Sequence, residues 1–135
     1  MFIRNITLAF TLACGALGSA TAAGQAQFMT GGVGMEERGK MLASKEDYNV
    51  HMTFATRGSG VYRSDVQVEI ADNKGRVYLN ANDAGPLMYA NLEPGRYRVT
   101  ASAADGQVLR RDMVVLPGHT KELYFYWSEP ATIVE

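Results

Sequence analysis

The stretch Leu92-Glu93-Pro94-Gly95-Arg96-Tyr97-Arg98-Val99 predicts a tight turn that leads into a β-strand. Proline fixes φ at about −65°, and glycine accepts the positive φ that a type II turn requires at the next position. We therefore expect Pro94, Gly95 and Tyr97 to form a structural corner, with Leu92 and Tyr97 buried on either side of the turn. A β-branched residue at position 95 is then expected to destabilise the fold.

Apolar and polar side chains alternate after this corner, and the same period of two recurs along most of the chain. Turn signals such as Asp72-Asn73-Lys74-Gly75 and Pro117-Gly118 separate the alternating segments at near-regular intervals. This spacing predicts an all-β, antiparallel, Greek-key sandwich of about seven strands rather than a parallel α/β sheet, because no helices alternate with the strands. The predicted strands cover residues 48–55, 66–70, 76–80, 87–92, 97–103, 108–116 and 120–127.

The buried face of each predicted strand follows from the alternation. Apolar side chains at every second position should point into the space between the two sheets. The predicted core residues are Val50, Met52, Phe54, Val66, Val68, Ile70, Leu92, Tyr97, Val99, Leu123, Phe125 and Trp127.

Residues 1–23 have the layout of a secretory signal peptide: a positive start at Arg4, a short apolar stretch and a small-residue cleavage site near Ala22 or Ala23. The apolar stretch is shorter than the about 20 residues that cross a bilayer. An N-terminal anchor helix, a buried helix and lipidation at Cys14 are the alternatives, although Thr11 stands where a lipid-attachment signal has a leucine-like residue. We expect a periplasmic or secreted protein whose mature chain has no transmembrane segment.

The amino-acid composition limits which functions the mature chain can have. Cys14 is the single cysteine, so an exported domain must be held by its core without disulfides. About 112 residues remain after cleavage, which is enough for one domain with a real core. The formal charge of the whole chain is −1, and loss of Arg4 makes it one unit more negative. This balance argues against nucleic acid as a partner.

The mature chain divides into a lead-in, a sandwich and a tail. Residues 24–47 comprise a glycine-rich segment, expected to be irregular, and a short helix over Met35–Ser44, which should form only if Met35, Met41 and Leu42 dock onto a sheet. Residues 48–127 form the sandwich domain, and residues 128–135 form a frayed tail. The run Gly31-Gly32-Val33-Gly34 lacks the Lys-Ser/Thr of a phosphate-binding loop.

Several segments together resemble a known family. They are residues 65–70, the turn at 72–75, Gly85-Pro86-Leu87-Met88-Tyr89, the corner at 92–99 and Ala104-Asp105-Gly106, in that order. This set resembles the carboxypeptidase regulatory-like domain, a transthyretin-like (prealbumin-like) β-sandwich. The lead-in before Arg38 is similar to that of small exported bacterial proteins with this domain. The resemblance implies binding or accessory roles rather than catalysis, and a related fold group binds carbohydrate.

No catalytic or metal-binding pattern emerges from the sequence. Transthyretin-like hydrolases of purine breakdown use histidines, a basic residue and a Tyr-Arg-Gly-Ser run, whereas residues 126–130 here read Tyr-Trp-Ser-Glu-Pro. His51, on the polar face of its strand, and His119, after a Pro-Gly turn, are expected to be solvated rather than zinc ligands. We therefore predict a protein that is not an enzyme and has no cofactor or metal.

The last predicted strand has aromatic residues on both faces. Leu123, Phe125 and Trp127 share one face, and Tyr124 and Tyr126 share the other. The two tyrosines could pair across strands with Tyr78 or with arginine side chains, lie under the N-terminal helix, or form an aromatic platform for a sugar ring or a partner protein.

These considerations yield three functional hypotheses. The leading one is a non-catalytic periplasmic binding or accessory module whose ligand is unknown. The second is a carbohydrate- or peptidoglycan-binding domain that uses Tyr78, Tyr124 and Tyr126. The third is an interaction subunit of a cell-envelope complex, in which an exposed edge strand pairs with an envelope protein. Arg96, Arg98 and Arg110 are expected to form a solvated, salt-bridged face.

Overall fold

The computed structural model describes residues 25–129, which form two four-stranded sheets and one short helix. The predicted signal peptide, Cys14 and most of the predicted tail lie outside these residues. In chain order the elements are β1 Phe28–Gly31, α1 Met35–Ser44, a 3-10 turn Lys45–Asp47, β2 Val50–Thr56, β3 Val66–Asp72, β4 Val77–Ala84, β5 Leu87–Ala90, β6 Gly95–Ser102, β7 Val108–Val115 and β8 Lys121–Trp127.

The two sheets pack face to face. The front sheet has the strand order β1-β5-β2-β8, and the back sheet has the order β4-β3-β6-β7. The predicted all-β sandwich with a short N-terminal helix is confirmed. Two details differ from the expectation. The described residues form eight strands rather than about seven. Strands β2 and β8 pair in parallel, which the sequence could not predict because the direction of pairing between distant strands is not a local property.

The additional strand is β1, in the lead-in that the sequence predicted to be irregular. Phe28 pairs with Ala90 and Gly31 pairs with Leu87, so β1 extends the front sheet beyond β5. The Thr30 hydroxyl donates to the Leu87 carbonyl (2.9 Å) and accepts from the Gly85 N–H (2.8 Å). A short segment rich in glycine therefore becomes a strand because a distant partner satisfies its polar groups.

The core lies between the sheets and confirms the predicted set, since every predicted core residue is buried. Strand β3 illustrates the pattern, with buried Val66, Val68 and Ile70 alternating with exposed residues. The aromatic rings of Phe54 and Phe125 lie 5.6 Å apart between centroids, in the middle of the apolar cluster. Burial of such side chains supplies most of the stabilisation in a domain without disulfides.

The corner at 92–99 is a structural feature, as expected. Leu92 and Tyr97 are buried, and the Tyr97 hydroxyl donates to the Glu93 carbonyl at 2.7 Å. The backbone at Gly95 differs from the expected turn, because Gly95 begins β6 with φ 159°, which is positive but far from the about +80° of a type II turn. A Cβ on Gly95 would have room, 3.7 Å from the Tyr97 ring, but side chains rarely adopt this φ.

Helix α1 has the predicted bounds but docks through one residue. Met41 is buried against Leu87 and Tyr89 of β5, whereas Met35 is 87 % exposed and Leu42 is also exposed. A helix of ten residues that packs on one edge of a sheet buries only a narrow stripe, which explains why the other two predicted contacts are absent.

The start of α1 is ordered by Glu37. Its carboxylate accepts hydrogen bonds from the backbone N–H groups of Gly32 and Val33, each at 2.9 Å. These amides would be the donors of a phosphate-binding loop, and here a side chain of the same chain engages them. Glu37 therefore holds the glycine-rich run against the first turn of the helix, whose N-cap is Gly34.

Candidate functional site

The outer face of β8 presents two tyrosines to solvent. Tyr124 and Tyr126 are 48 % and 44 % exposed, and their rings are nearly parallel, with centroids 6.3 Å apart and an interplanar angle of 10°. Their neighbours Leu123, Phe125 and Trp127 are buried, which confirms the predicted division of the strand into two faces. The tyrosines are not covered by α1, so that interpretation was wrong.

A third exposed tyrosine, which the sequence analysis missed, lies on the same face. After β2 the chain turns back, and residues 61–63 lie beside the end of that strand. The Thr56 N–H donates to the Val61 carbonyl (2.8 Å), and the Arg63 N–H donates to the Phe54 carbonyl (3.0 Å). This places Tyr62, which is 45 % exposed, opposite Ala55. Val61 and Tyr62, a β-branched and an aromatic residue directly after Gly60, are the sequence signal that could have predicted this extended segment.

The registers place Ala55 between two tyrosines. Ala55 pairs with Tyr62 on one side and with Tyr126 on the other, and it is only 4 % exposed. Neighbouring strands are about 4.8 Å apart, so the backbones of the two tyrosines are separated by about 10 Å. A small residue therefore forms the floor between two aromatic side chains. We call the surface formed by Tyr62, Tyr124 and Tyr126, with Ala55 as its floor, the tyrosine face.

A cation from α1 borders the tyrosine face. The guanidinium carbon of Arg38 lies 4.7 Å from the centroid of the Tyr62 ring, within the range of a cation–π contact. The Arg38 Nη2 also donates to the Gly32 carbonyl at 3.3 Å. The helix is therefore linked to the rim of this surface through one side chain.

Tyr78 does not join the other predicted site residues. It lies on β4 at the edge of the back sheet, with its ring edge-on to Tyr97 at a centroid distance of 5.4 Å. Its hydroxyl donates to Asp72 at 3.3 Å, and Arg76 lies over its ring. The expectation that Tyr78 pairs with Tyr124 or Tyr126 was wrong, because the strands belong to different sheets.

His51 is buried rather than solvated, which corrects the sequence expectation. It is 6 % exposed because the 3-10 turn covers the outer face of β2 at this point. Its Nδ1 lies 2.7 Å from Glu122 Oε2, and its Nε2 lies 2.8 and 2.9 Å from the carbonyl oxygens of Lys45 and Tyr48. Lys45 Nζ also approaches Glu122, at 3.5 Å. These contacts tie the 3-10 turn to the sheet.

The titratable groups of the described residues do not form a further cluster. His119 is exposed in the turn between β7 and β8, apart from the buried His51. Within residues 25–129, no group of three or more His, Cys, Asp or Glu side chains converges in a way that could hold a metal ion. In the same part of the chain, no helix has the length and apolar character required to cross a bilayer.

The back sheet carries a cleft of about 750 Å³ on its outer face. It is lined by the side chains of Asp72, Arg96, Arg98 and Asp112, among others. Arg98 Nε donates to Asp112 at 2.8 Å, and this pair lowers the pKa of Asp112 and raises that of Arg98. Of the three arginines predicted to form a salt-bridged face, Arg98 has an ion-pair partner among the described residues, and this pair makes the cleft a weaker candidate than the tyrosine face.

Comparisons with known proteins add little to this geometry. No protein-family model matches the chain, and no curated protein sequence matches it. Among solved structures, the chain is similar to that of Klebsiella pneumoniae 5-hydroxyisourate hydrolase. The two share 18 % sequence identity, with a TM-score of 0.47, over 60 % of this chain and 84 % of the hydrolase chain.

Proposed function

We propose that this protein is a non-catalytic binding or accessory module of the bacterial periplasm, and that its ligand contacts the tyrosine face. Exposure of the stacked pair Tyr124–Tyr126 on a regular strand is the observation that carries this proposal. Tyrosine combines apolar area with a polar tip and is enriched in the cores of binding interfaces. The layout of residues 1–23 supports export, and the order of motifs supports a carboxypeptidase regulatory-like domain.

The tyrosine face favours binding over a purely structural role. Cross-strand aromatic pairs that only stabilise a sheet are expected to pack against neighbours, whereas nearly half of each of these side chains is accessible. The strand that carries them is also held in place by buried Phe125 and Trp127. A rigid aromatic surface loses little conformational entropy when a ligand binds.

A glycan is the second candidate for the ligand class. The observation that favours it is the position of Ala55 between Tyr62 and Tyr126, since a small floor leaves room for a flat ring between aromatic walls. Peptidoglycan fragments are glycans that an envelope protein encounters.

Site-specific photo-crosslinking in cells tests the proposal. A photoreactive phenylalanine analogue is placed at Tyr124 in one variant and at Tyr78 in a matched variant of the other sheet. We expect a discrete adduct, with protein or with glycan, from position 124 and none from position 78. A probe at Tyr62 should capture the same ligand. The double variant Tyr124→Ala/Tyr126→Ala should abolish the adduct formed by this Tyr62 probe. Equal labelling of abundant bystanders from positions 124 and 78 would contradict the proposal.

Export is tested separately by mass spectrometry of the protein recovered from the periplasmic fraction. We expect an N-terminus near residue 23 or 24, so that Cys14 is removed with the signal peptide and the recovered protein carries no lipid. Recovery of the uncleaved chain in the cytoplasm would contradict the periplasmic assignment.

A further inference from the structure

Strand β8 has one paired edge and one open edge. It is the last strand of the front sheet and pairs with β2 over seven consecutive positions without a register shift. The Lys121 N–H donates to the Asn49 carbonyl, and the Trp127 carbonyl accepts from the Arg57 N–H, so these two residues direct their backbone groups toward β2. Because this direction alternates along a strand, Glu122, Tyr124 and Tyr126 direct theirs away from the sheet.

Most backbone groups on this open edge have no partner in the described part of the chain. The exception among residues 25–129 is the Tyr124 carbonyl, which accepts a hydrogen bond from Arg111 Nη1 at 2.9 Å. The N–H groups of Glu122, Tyr124 and Tyr126 therefore form a row of donors, with acceptors between them. Such a row is complementary to the backbone of another extended chain.

The other sheet edges carry features that discourage strand addition. Strand β1 has only four residues, and the pairing of β4 with β3 contains register irregularities. Strand β7 presents the exposed charged run Arg110-Arg111-Asp112. Short strands, bulges and charges are the usual protections of sheet edges. The seven-residue strand β8 has no proline and no bulge, and its protection comes from the side chain of Arg111.

Arg111 reaches β8 from the neighbouring edge of the back sheet. Besides its bond to the Tyr124 carbonyl, its guanidinium carbon lies 5.6 Å from the centroid of the Phe125 ring. Arg111 itself is exposed, so this contact can be exchanged for water or for another donor. It occupies one acceptor of the open edge and leaves the donors of Glu122, Tyr124 and Tyr126 accessible.

We propose that the open edge of β8 binds an extended peptide segment, which adds to the front sheet as a fifth strand, and that Arg111 guards this edge by occupying the Tyr124 carbonyl. The inference rests on the proposed function and names the ligand class of the tyrosine face. Side chains of an added strand lie about 5 Å from their cross-strand neighbours, so every second side chain of the peptide would contact Tyr124 or Tyr126. Backbone bonds would supply affinity, and the two tyrosines would supply selectivity.

The test uses a synthetic seven-residue peptide, acetyl-Lys-Thr-Val-Thr-Val-Thr-Lys-amide, and the same peptide with every backbone amide nitrogen methylated. Amide hydrogen exchange of the exported protein is measured with each peptide. We expect exchange at Glu122, Tyr124 and Tyr126 to slow by about tenfold or more with the first peptide. The methylated peptide should give no protection, because it cannot donate to the edge.

Arg111→Ala is the variant that tests the guard, and Arg110→Ala is the matched control. Freeing one carbonyl should tighten peptide binding by about two- to tenfold, as expected for one hydrogen bond. Arg110 carries the same charge on the same strand but makes no bond to β8, so its removal should leave the affinity within about twofold. Unchanged thermal unfolding of each variant shows that the fold is intact.

Three outcomes would overturn the proposal: equal binding of both peptides, protection at β1 or β4 instead of β8, or no protection at millimolar peptide. If a glycan or envelope ligand perturbs Tyr124 and Tyr126 without protecting the edge amides, strand addition is wrong and the proposed binding function stands. If no ligand of any class perturbs the tyrosines, the proposed function fails as well.

Discussion

Gly85 lies so close to Gly31 that a Cβ on Gly85 would sit 2.8 Å from the Gly31 carbonyl oxygen. The approach brings β1 against the connection between β4 and β5, where the Gly85 N–H donates to Thr30 Oγ1. The N-terminal strand can therefore close the front sheet only because position 85 has no side chain.

Gly85→Ala is expected to destabilise the protein by about 1–3 kcal/mol, because the added methyl group overlaps backbone that cannot move independently. Chemical denaturation measures the loss, and hydrogen exchange should show β1 opening before the rest of the front sheet. An unchanged unfolding midpoint would contradict the close contact.

Gly39→Ala, at a glycine inside α1, is expected to stabilise the protein, in contrast to Gly85→Ala. Nothing lies within 4 Å of the position that its Cβ would occupy. Alanine in a helix interior is more favourable than glycine by about 0.5–1 kcal/mol, so this variant should unfold at higher denaturant concentration than the parent. A loss of stability would indicate that α1 is not formed in solution.

Tyr97→Phe tests the corner. The change removes the hydroxyl that donates to Glu93 at 2.7 Å and leaves the buried ring in place. We expect a loss of about 0.5–1.5 kcal/mol in the free energy of unfolding. Tyr124→Phe is the control, since its ring is exposed and should lose almost nothing. Equal effects of the two changes would show that the hydroxyl bond does not hold the corner.

His51→Ala should release the 3-10 turn from the front sheet. It removes the contacts to Glu122 and to the carbonyl oxygens of Lys45 and Tyr48, which are partly buried. The expected loss is about 1–3 kcal/mol, with faster amide exchange in α1. Thr53→Ala, on the same face of β2, should have a much smaller effect. If exchange in α1 is unaffected, the histidine does not anchor the turn.

Asp72→Asn tests the dependence of stability on pH. Backbone hydrogen bonds, first from Arg76 and then from Lys74, lower the pKa of Asp72 below 3.8. A carboxylate with a lowered folded-state pKa stabilises the native state above its unfolded pKa, and this contribution is lost as the pH falls through the folded pKa. The parent should therefore be more stable than the variant at neutral pH, and the difference should shrink below about pH 4. A difference that does not change with pH would contradict this assignment.

Local sequence patterns were sufficient to predict the helix bounds, the core residues named above and every strand of the described residues except β1. Val66, Val68 and Ile70 are buried because a strand alternates its side chains between two faces. The same alternation of apolar and polar residues is visible in the sequence. The division of β8 into buried Phe125 and exposed Tyr124 follows from the same rule.

Other features depend on which segments meet in space. The sequence could not predict that β2 and β8 run parallel, that β1 finds a partner in β5, or that Tyr78 and Tyr124 belong to different sheets. Pairing partners and their direction are decided by contacts between residues far apart in the chain. The period of a single strand carries no information about these contacts.

The candidate site shows the same division. The sequence by itself determined that Tyr124 and Tyr126 share a face, because a period of two requires it. Only the tertiary structure decided that this face is exposed, that Tyr62 joins it across Ala55 and that His51 is buried on the same sheet. The reason is physical: alternation assigns a side chain to one face of a strand, and the packing of distant elements decides which part of that face is covered.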